Sequence, residues 1–88
     1  MKVGMLWFDD DRQRPLTEKI ERAAKHYQSK YGATPNMCYA NPQAFGEGQN
    51  ELVVPVPALK AGKVSEQLTL KQARTILPNH FWLGMSEN

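Results

Sequence analysis

The stretch SEQLTLKQARTIL, Ser65 to Leu77, reads two ways. Leu68 and Leu70 alternate with polar residues, as in a strand with one buried face. Leu70, Ala73, Ile76 and Leu77 instead recur at helical spacing, with Thr69 placed to cap such a helix. The choice decides the architecture. As a helix the stretch is a second rod able to cover a sheet. As a strand it enlarges the sheet and leaves all the covering to other segments. We read a strand around Leu68 to Lys71, then irregular chain to a turn at Pro78-Asn79.

Upstream of it lies the plainest element, an amphipathic helix over Pro15 to Tyr31. Proline suits a first turn, where its missing N–H is no loss. Leu16, Ile20, Ala23, Ala24, Tyr27 and Tyr31 form one stripe at helical spacing. Glu18 with Arg22, and Glu21 with Lys25, are favourable i, i+4 pairs. Gly32 is the expected stop, because glycine takes the left-handed conformation without penalty.

The remaining segments read as strands. Val3 to Phe8 is apolar on both sides, with Val3, Met5 and Trp7 opposite Gly4, Leu6 and Phe8. Met37 to Ala40 is a short strand ended by Asn41-Pro42. Glu51 to Val56 carries Leu52, Val54 and Val56 on one side; Pro55 and Pro57 place it at a sheet edge. His80 to Met85 is the last strand. The Gly-rich QAFGEGQN lacks the Gly-Lys-Ser/Thr ending of a phosphate loop and reads as a turn. The order β-α-β-β-(β)-β predicts a single α+β domain over residues 1–88. Its mainly antiparallel sheet has four to five strands, with one long helix on one face.

Composition bounds the function classes. With 88 residues the chain makes one domain, and its formal charge of +2 permits nucleic-acid contact without arguing for it. A single cysteine, Cys38, excludes an internal disulfide and fits a reducing compartment. Acids interrupt the first apolar run too early for a secretion signal, and no apolar stretch approaches the ~20 residues that span a bilayer. A cytoplasmic protein without membrane contact is the expectation.

Four constellations carry potential chemistry. Asp9, Asp10 and Asp11 follow the first strand, and alternation puts Asp9 and Asp11 on one side. That pair, with His80 as a base or third ligand, is the arrangement a divalent metal and a phosphoesterase need. The competing reading is a seam, with carboxylates stabilised near a helix N-terminus. Cys38 with His26 or His80 makes a nucleophile–base pair only if the thiol is accessible, and a strand cysteine is ordinarily a buried apolar residue. Lys19, Arg22, His26 and Lys30 share a helix stripe beside Arg12 and Arg14, a ridge suited to phosphates. Trp7, Phe8, Tyr39, Phe81 and Trp82 would then offer stacking platforms, against the alternative that they fill the core.

The combination LWFDDD, then AAKHYQSKYGATPNMCYANP, then LPNHFWLG resembles a group of small uncharacterised bacterial proteins. They share the aromatic–acidic start, the KYGxxP helix exit and the Leu-Pro-Asn-His ending. The resemblance implies a standalone bacterial or mobile-element protein. It implies no activity and transfers no site residues.

The arithmetic of layers then sets the functional expectation. A helix of this length is about 25 Å long and covers one face of a sheet, yet both faces of the first and last strands carry large apolar groups. The expected protein is a non-enzymatic interaction module without a cofactor, working through an aromatic sheet face. Trp7, Trp82, Arg12, Arg14, Lys19, Arg22 and Lys30 are its candidate anchors, and a protein, a second copy of itself or single-stranded nucleic acid is its partner. The alternative is the metal-dependent phosphoesterase of Asp9, Asp11 and His80.

Overall fold

A computed structural model describes residues 4–59 and 61–86. Five strands and one long helix follow in the order β1 (Gly4–Phe8), α1 (Leu16–Tyr31), β2 (Met37–Ala40), β3 (Glu51–Pro57), β4 (Ser65–Gln72) and β5 (His80–Gly84), with a short 3-10 turn at Pro42–Ala44. The fold is α+β, as the pattern predicts. Ser65 to Gln72 is a strand, and the chain from Ala73 to Asn79 is irregular.

The single sheet has the order β1-β5-β2-β4-β3. Neighbours pair antiparallel except β2 and β4, which run parallel. β1, α1 and β2 therefore form a βαβ unit split by the last strand, with β5 inserted between β1 and β2. The edges are β1 on one side and β3, with its prolines, on the other.

Helix α1 forms for the reasons its sequence states. Pro15 supplies an extended N-cap at φ −64°, and Gly32 closes the helix at φ +69°, its N–H reaching the Gln28 carbonyl. Gly32 in that conformation is a left-handed cap that a side chain would strain. Ile20, Ala23, Ala24 and Tyr27 turn inwards. The alanines let the helix approach the sheet closely. They meet Met5 (β1), Phe81 and Leu83 (β5), Cys38 and Ala40 (β2), Leu68 and Leu70 (β4), and Val54 and Val56 (β3). Ala44 and Phe45, beyond β2, close one end of this core.

One polar residue also turns inwards. The Gln28 side-chain amide donates to the Thr34 hydroxyl at 3.1 Å and to the Pro57 carbonyl, tying the helix exit to the end of β3. A buried amide without such partners would cost about 1–3 kcal/mol. Glu21 and Lys25 pair at 3.4 Å as expected, whereas Glu18 turns back to Arg14 at 3.5 Å.

All the buried apolar side chains of the sheet lie on the α1 side. No second helix lies on the other face among the described residues. Of the described part of residues 58–77, the segment with the best chance of covering it, β4 joins the sheet itself, and only Ala73, Thr75 and Ile76 border the open face, beside Tyr39 and Trp82.

Candidate functional site

Strand alternation and register decide which residues share the open face. Leu6 pairs with Trp82, Trp82 with Tyr39, and Tyr39 stands in line with Lys71 and Glu51 across β4 and β3. The adjoining row contains Gly4, Gly84, Met37, Thr69 and Val53. Phe8 and His80 end the face at one corner, their rings 4.9 Å apart and tilted. Leu6, Phe8 and Val53 are each more than half exposed (55%, 54% and 56%). Met37, Tyr39 and Trp82 are half-buried.

Gly4 is needed where it stands. A Cβ there would come within 2.6 Å of the Trp82 ring and 2.8 Å of the Leu83 carbonyl oxygen. The indole thus leans across β1 and fills the space above the glycine. On its other side Trp82, with Tyr39, borders a depression of about 450 Å³ that Ala73, Thr75 and Ile76 complete. The connection after β4 is held there by two bonds: the Ala73 N–H donates to the Ala40 carbonyl at 2.8 Å, and the Asn41 amide donates to the Ile76 carbonyl at 2.9 Å.

The expected anchors do not assemble as one surface. Trp7 pairs in register with Phe81, one position out of phase with Trp82, so the two indoles lie on opposite faces. Trp7 is on the helix side, packed at 4.9 Å against His26, and its indole N–H is buried without a hydrogen-bond partner. Arg22 lies beside it with Lys25, His26 and Ser29. Lys30 projects over the Tyr31 ring at 5.3 Å, and Lys19 borders a depression with Leu16 and Phe81. Lys19, Arg22 and Lys30 thus belong to the helix layer, across the molecule from the aromatic face. Arg12 is exposed in the turn before the helix.

Arg14 has a different job. Its guanidinium donates to Asp9 at 2.8 Å and reaches Asp11 and Glu18 at 3.5 Å each. Asp9, with only 5% of its side chain exposed, also accepts the Asp11 N–H at 3.0 Å. The Asp11 carboxylate in turn accepts the Gln13 N–H at 2.9 Å. The strand ends at Phe8, so it is a turn and not strand alternation that brings Asp9 and Asp11 to one arginine, which stands where a cation would have to sit. His80 is on the opposite face, with a ring nitrogen 2.8 Å from the Pro78 carbonyl oxygen. Among the described residues no group of three His, Cys, Asp or Glu side chains is placed to hold a metal ion. The seam between β1 and α1 is therefore a charge-clasped turn.

Cys38 is fully buried in the core, and that burial pushes its thiol pKa up, away from the thiolate a nucleophile requires. No helix among the described residues is long and apolar enough to cross a membrane.

The clasp makes a prediction about acid stability. Burial alone would raise the Asp9 pKa, but the Asp11 N–H, the Arg14 hydrogen bond and the charges of Arg14 and Lys19 outweigh it and hold the pKa below its ordinary value. The ionised carboxylate is thus favoured more in the folded state than in the unfolded one. Its contribution is complete above the unfolded pKa and is lost as pH falls through the folded one. Thermal melts of wild type and Asp9→Asn should therefore differ most above about pH 4 and converge below it. A gap that stays constant down to pH 2 would show that the charge of Asp9 contributes nothing.

No protein-family profile, no curated protein and no solved structure matches this chain.

Proposed function

We propose that the protein is a non-enzymatic interaction module whose working surface is the open face of its sheet, and that its partner is a protein surface, copies of the chain included. The observation that supports this reading is a cluster of aromatic and aliphatic side chains on the open face, densest over β1, β5 and β2, with no second layer of helix or sheet over it among the described residues. Leu6, Phe8, Met37, Tyr39, Val53 and Trp82 provide it, and several are half exposed. A contiguous apolar patch on a small domain marks a contact site, because isolated exposed apolar residues are normal but clustered ones are not. Aromatic side chains give large contact area at low entropic cost.

The charge pattern favours protein over nucleic acid as the occupant. Single-stranded nucleic acid needs cations alongside the stacking platforms. Here the platforms Phe8, Tyr39 and Trp82 are on one face, and Lys19, Arg22 and Lys30 are on the other layer. Lys71, the cation in the Trp82–Tyr39 row, stands in line with Glu51. The phosphoesterase alternative has less support still, because Arg14 occupies the Asp9–Asp11 site.

Affinity capture from an extract of the native cells tests the reading when three proteins are compared by mass spectrometry. Partners bound by wild type should be retained by Arg22→Ala/Lys30→Ala and lost by Phe8→Glu/Tyr39→Glu, with all three folded by circular dichroism. The opposite pattern, joined by salt-sensitive binding of a labelled oligonucleotide, would transfer the function to the helix ridge.

A further inference from the structure

The two edges of the sheet are built differently, and the difference points to what docks there. In β3, Pro55 is opposite Gln67 and Pro57 opposite Ser65. Proline has no N–H, so these positions face outwards and leave gaps in the donor row of that edge. This is a common way to block strand addition. Over its described residues edge β1 lacks that defence, and only its Gly4 carbonyl is covered, by the Tyr31 hydroxyl at 3.3 Å. Gly4-Met5-Leu6-Trp7-Phe8 contains no proline and no charge.

The hydrogen-bonding phase of β1 shows what its edge presents. The Asp9 N–H donates to the Asn79 carbonyl at 2.9 Å, continuing the β1–β5 ladder by one residue. Antiparallel bonds alternate, so Met5, Trp7 and Asp9 bond to β5, and the N–H and C=O groups of Gly4, Leu6 and Phe8 point away from the sheet. The Gly4 carbonyl confirms the phase independently, since the Tyr31 hydroxyl reaches it at 3.3 Å from the helix exit.

We propose that β1 pairs antiparallel with β1 of a second copy, about a two-fold axis through Leu6, joining two sheets edge to edge. The inference rests on the interaction reading above and names its partner. The geometry is self-complementary, as a two-fold contact requires. The outward groups fall at every second residue, so centring on Leu6 puts Gly4 opposite the partner's Phe8 and brings those of the described strand into register; the Gly4 carbonyl then accepts from both the Tyr31 hydroxyl and the partner's Phe8 N–H, one on each lone pair. Gly4 is the one β1 position with no side chain of its own, and the Trp82 indole lies over it. The partner's Phe8 ring therefore meets Trp82 across a glycine rather than clashing with a side chain. Leu6 and Phe8, each half exposed in one copy, become the middle of an apolar stripe that runs across both sheets.

A disulfide reports this register directly. Hydrogen-bonded antiparallel neighbours have Cα atoms about 5.5 Å apart, within the range a disulfide bridges. Leu6→Cys should form a cross-linked dimer at micromolar concentration under mild oxidation, at least tenfold faster than Val64→Cys, whose site is 93% exposed. The native Cys38 is fully buried and supplies no competing thiol. In sedimentation, wild type should have the mass of a dimer and Leu6→Lys that of a monomer that is still folded by circular dichroism, and only the wild-type melting temperature should rise with protein concentration. Equal cross-linking of the two cysteine variants, or a monomeric wild type at several hundred micromolar, overturns the edge pairing and leaves the face reading to its own capture experiment. A dimer that persists in Leu6→Lys but dissociates in Tyr39→Glu overturns the edge pairing and supports the face as the contact.

Discussion

Phe81→Ala is expected to lower the stability of the domain by about 3–5 kcal/mol, the range for removing a buried phenylalanine from a packed core. Phe81 is 2% exposed and belongs to β5, where it pairs with Trp7 of β1 and Ala40 of β2. It lies beneath the start of α1 and beside Ala44, where Leu16 and Lys19 close the end of the core. No neighbouring element is free to collapse into the space, because β5 is held on both sides by ladders and Ala40 is too small to fill it. Marginal stability makes the loss large. A chain of this length has about 4–13 kcal/mol in total, and each kcal/mol moves the midpoint by about 4–8 °C. A fall of about 12 °C or more in Tm should follow, read by circular dichroism. Phe8→Ala, on the other face and 54% exposed, removes a contact with His80 and should cost about 1 kcal/mol. If the two substitutions cost the same, the assignment of core and open faces is mistaken.

That contrast also shows how far the sequence carries. Alternation within β1 and β5 was legible: Trp7 goes with Met5, and Trp82 goes against Phe81 and Leu83. What alternation within a strand does not contain is the register between strands. Pairing Trp7 with Phe81 instead of Trp82 puts the two indoles on opposite faces, and only the ladder reveals it. The same holds for strand order. β5 enters between β1 and β2, though it starts forty positions after the end of β2 and farther still from β1, and no local signal announces a pairing at that distance. Helix α1 was legible to within a residue because its start, stripe and stop are all local, from Pro15 to Gly32. The acidic triplet was legible as a seam, but the Arg14 clasp was not. It depends on a turn that brings residue 14 back to residue 9, five positions away, at 2.8 Å. Gln28 was hidden for a similar reason: a polar residue on a helix reads as exposed until its acceptor, the distant Pro57 carbonyl, is known.

Thr69→Pro tests the strand Ser65–Gln72, and the two readings of that stretch assign it opposite outcomes. In the fold described here Thr69 is in β4, between Met37 of β2 and Val53 of β3. Its N–H donates to the Asn36 carbonyl at 2.9 Å. Proline at this position deletes that donor, strands the Asn36 carbonyl and pushes its ring towards the neighbouring chain. Interior positions of a sheet do not tolerate this. A loss of about 3 kcal/mol or more is expected, enough to lower the midpoint by about 12 °C or more. Val53→Pro is the matched control. Val53 is in phase with Pro55 and Pro57 on the outer edge of β3, so its N–H faces away from β4 and the ladder loses nothing. It should remain folded. Were Ser65–Leu77 a helix beginning at Thr69, the difference would vanish, because proline is well accommodated in a first helical turn and no ladder bond would be at stake. Melting curves of the two variants therefore decide between one rod and two. A Thr69→Pro protein that melts like wild type would return the stretch to a helix and cover the open face, and the proposed surface would go with it.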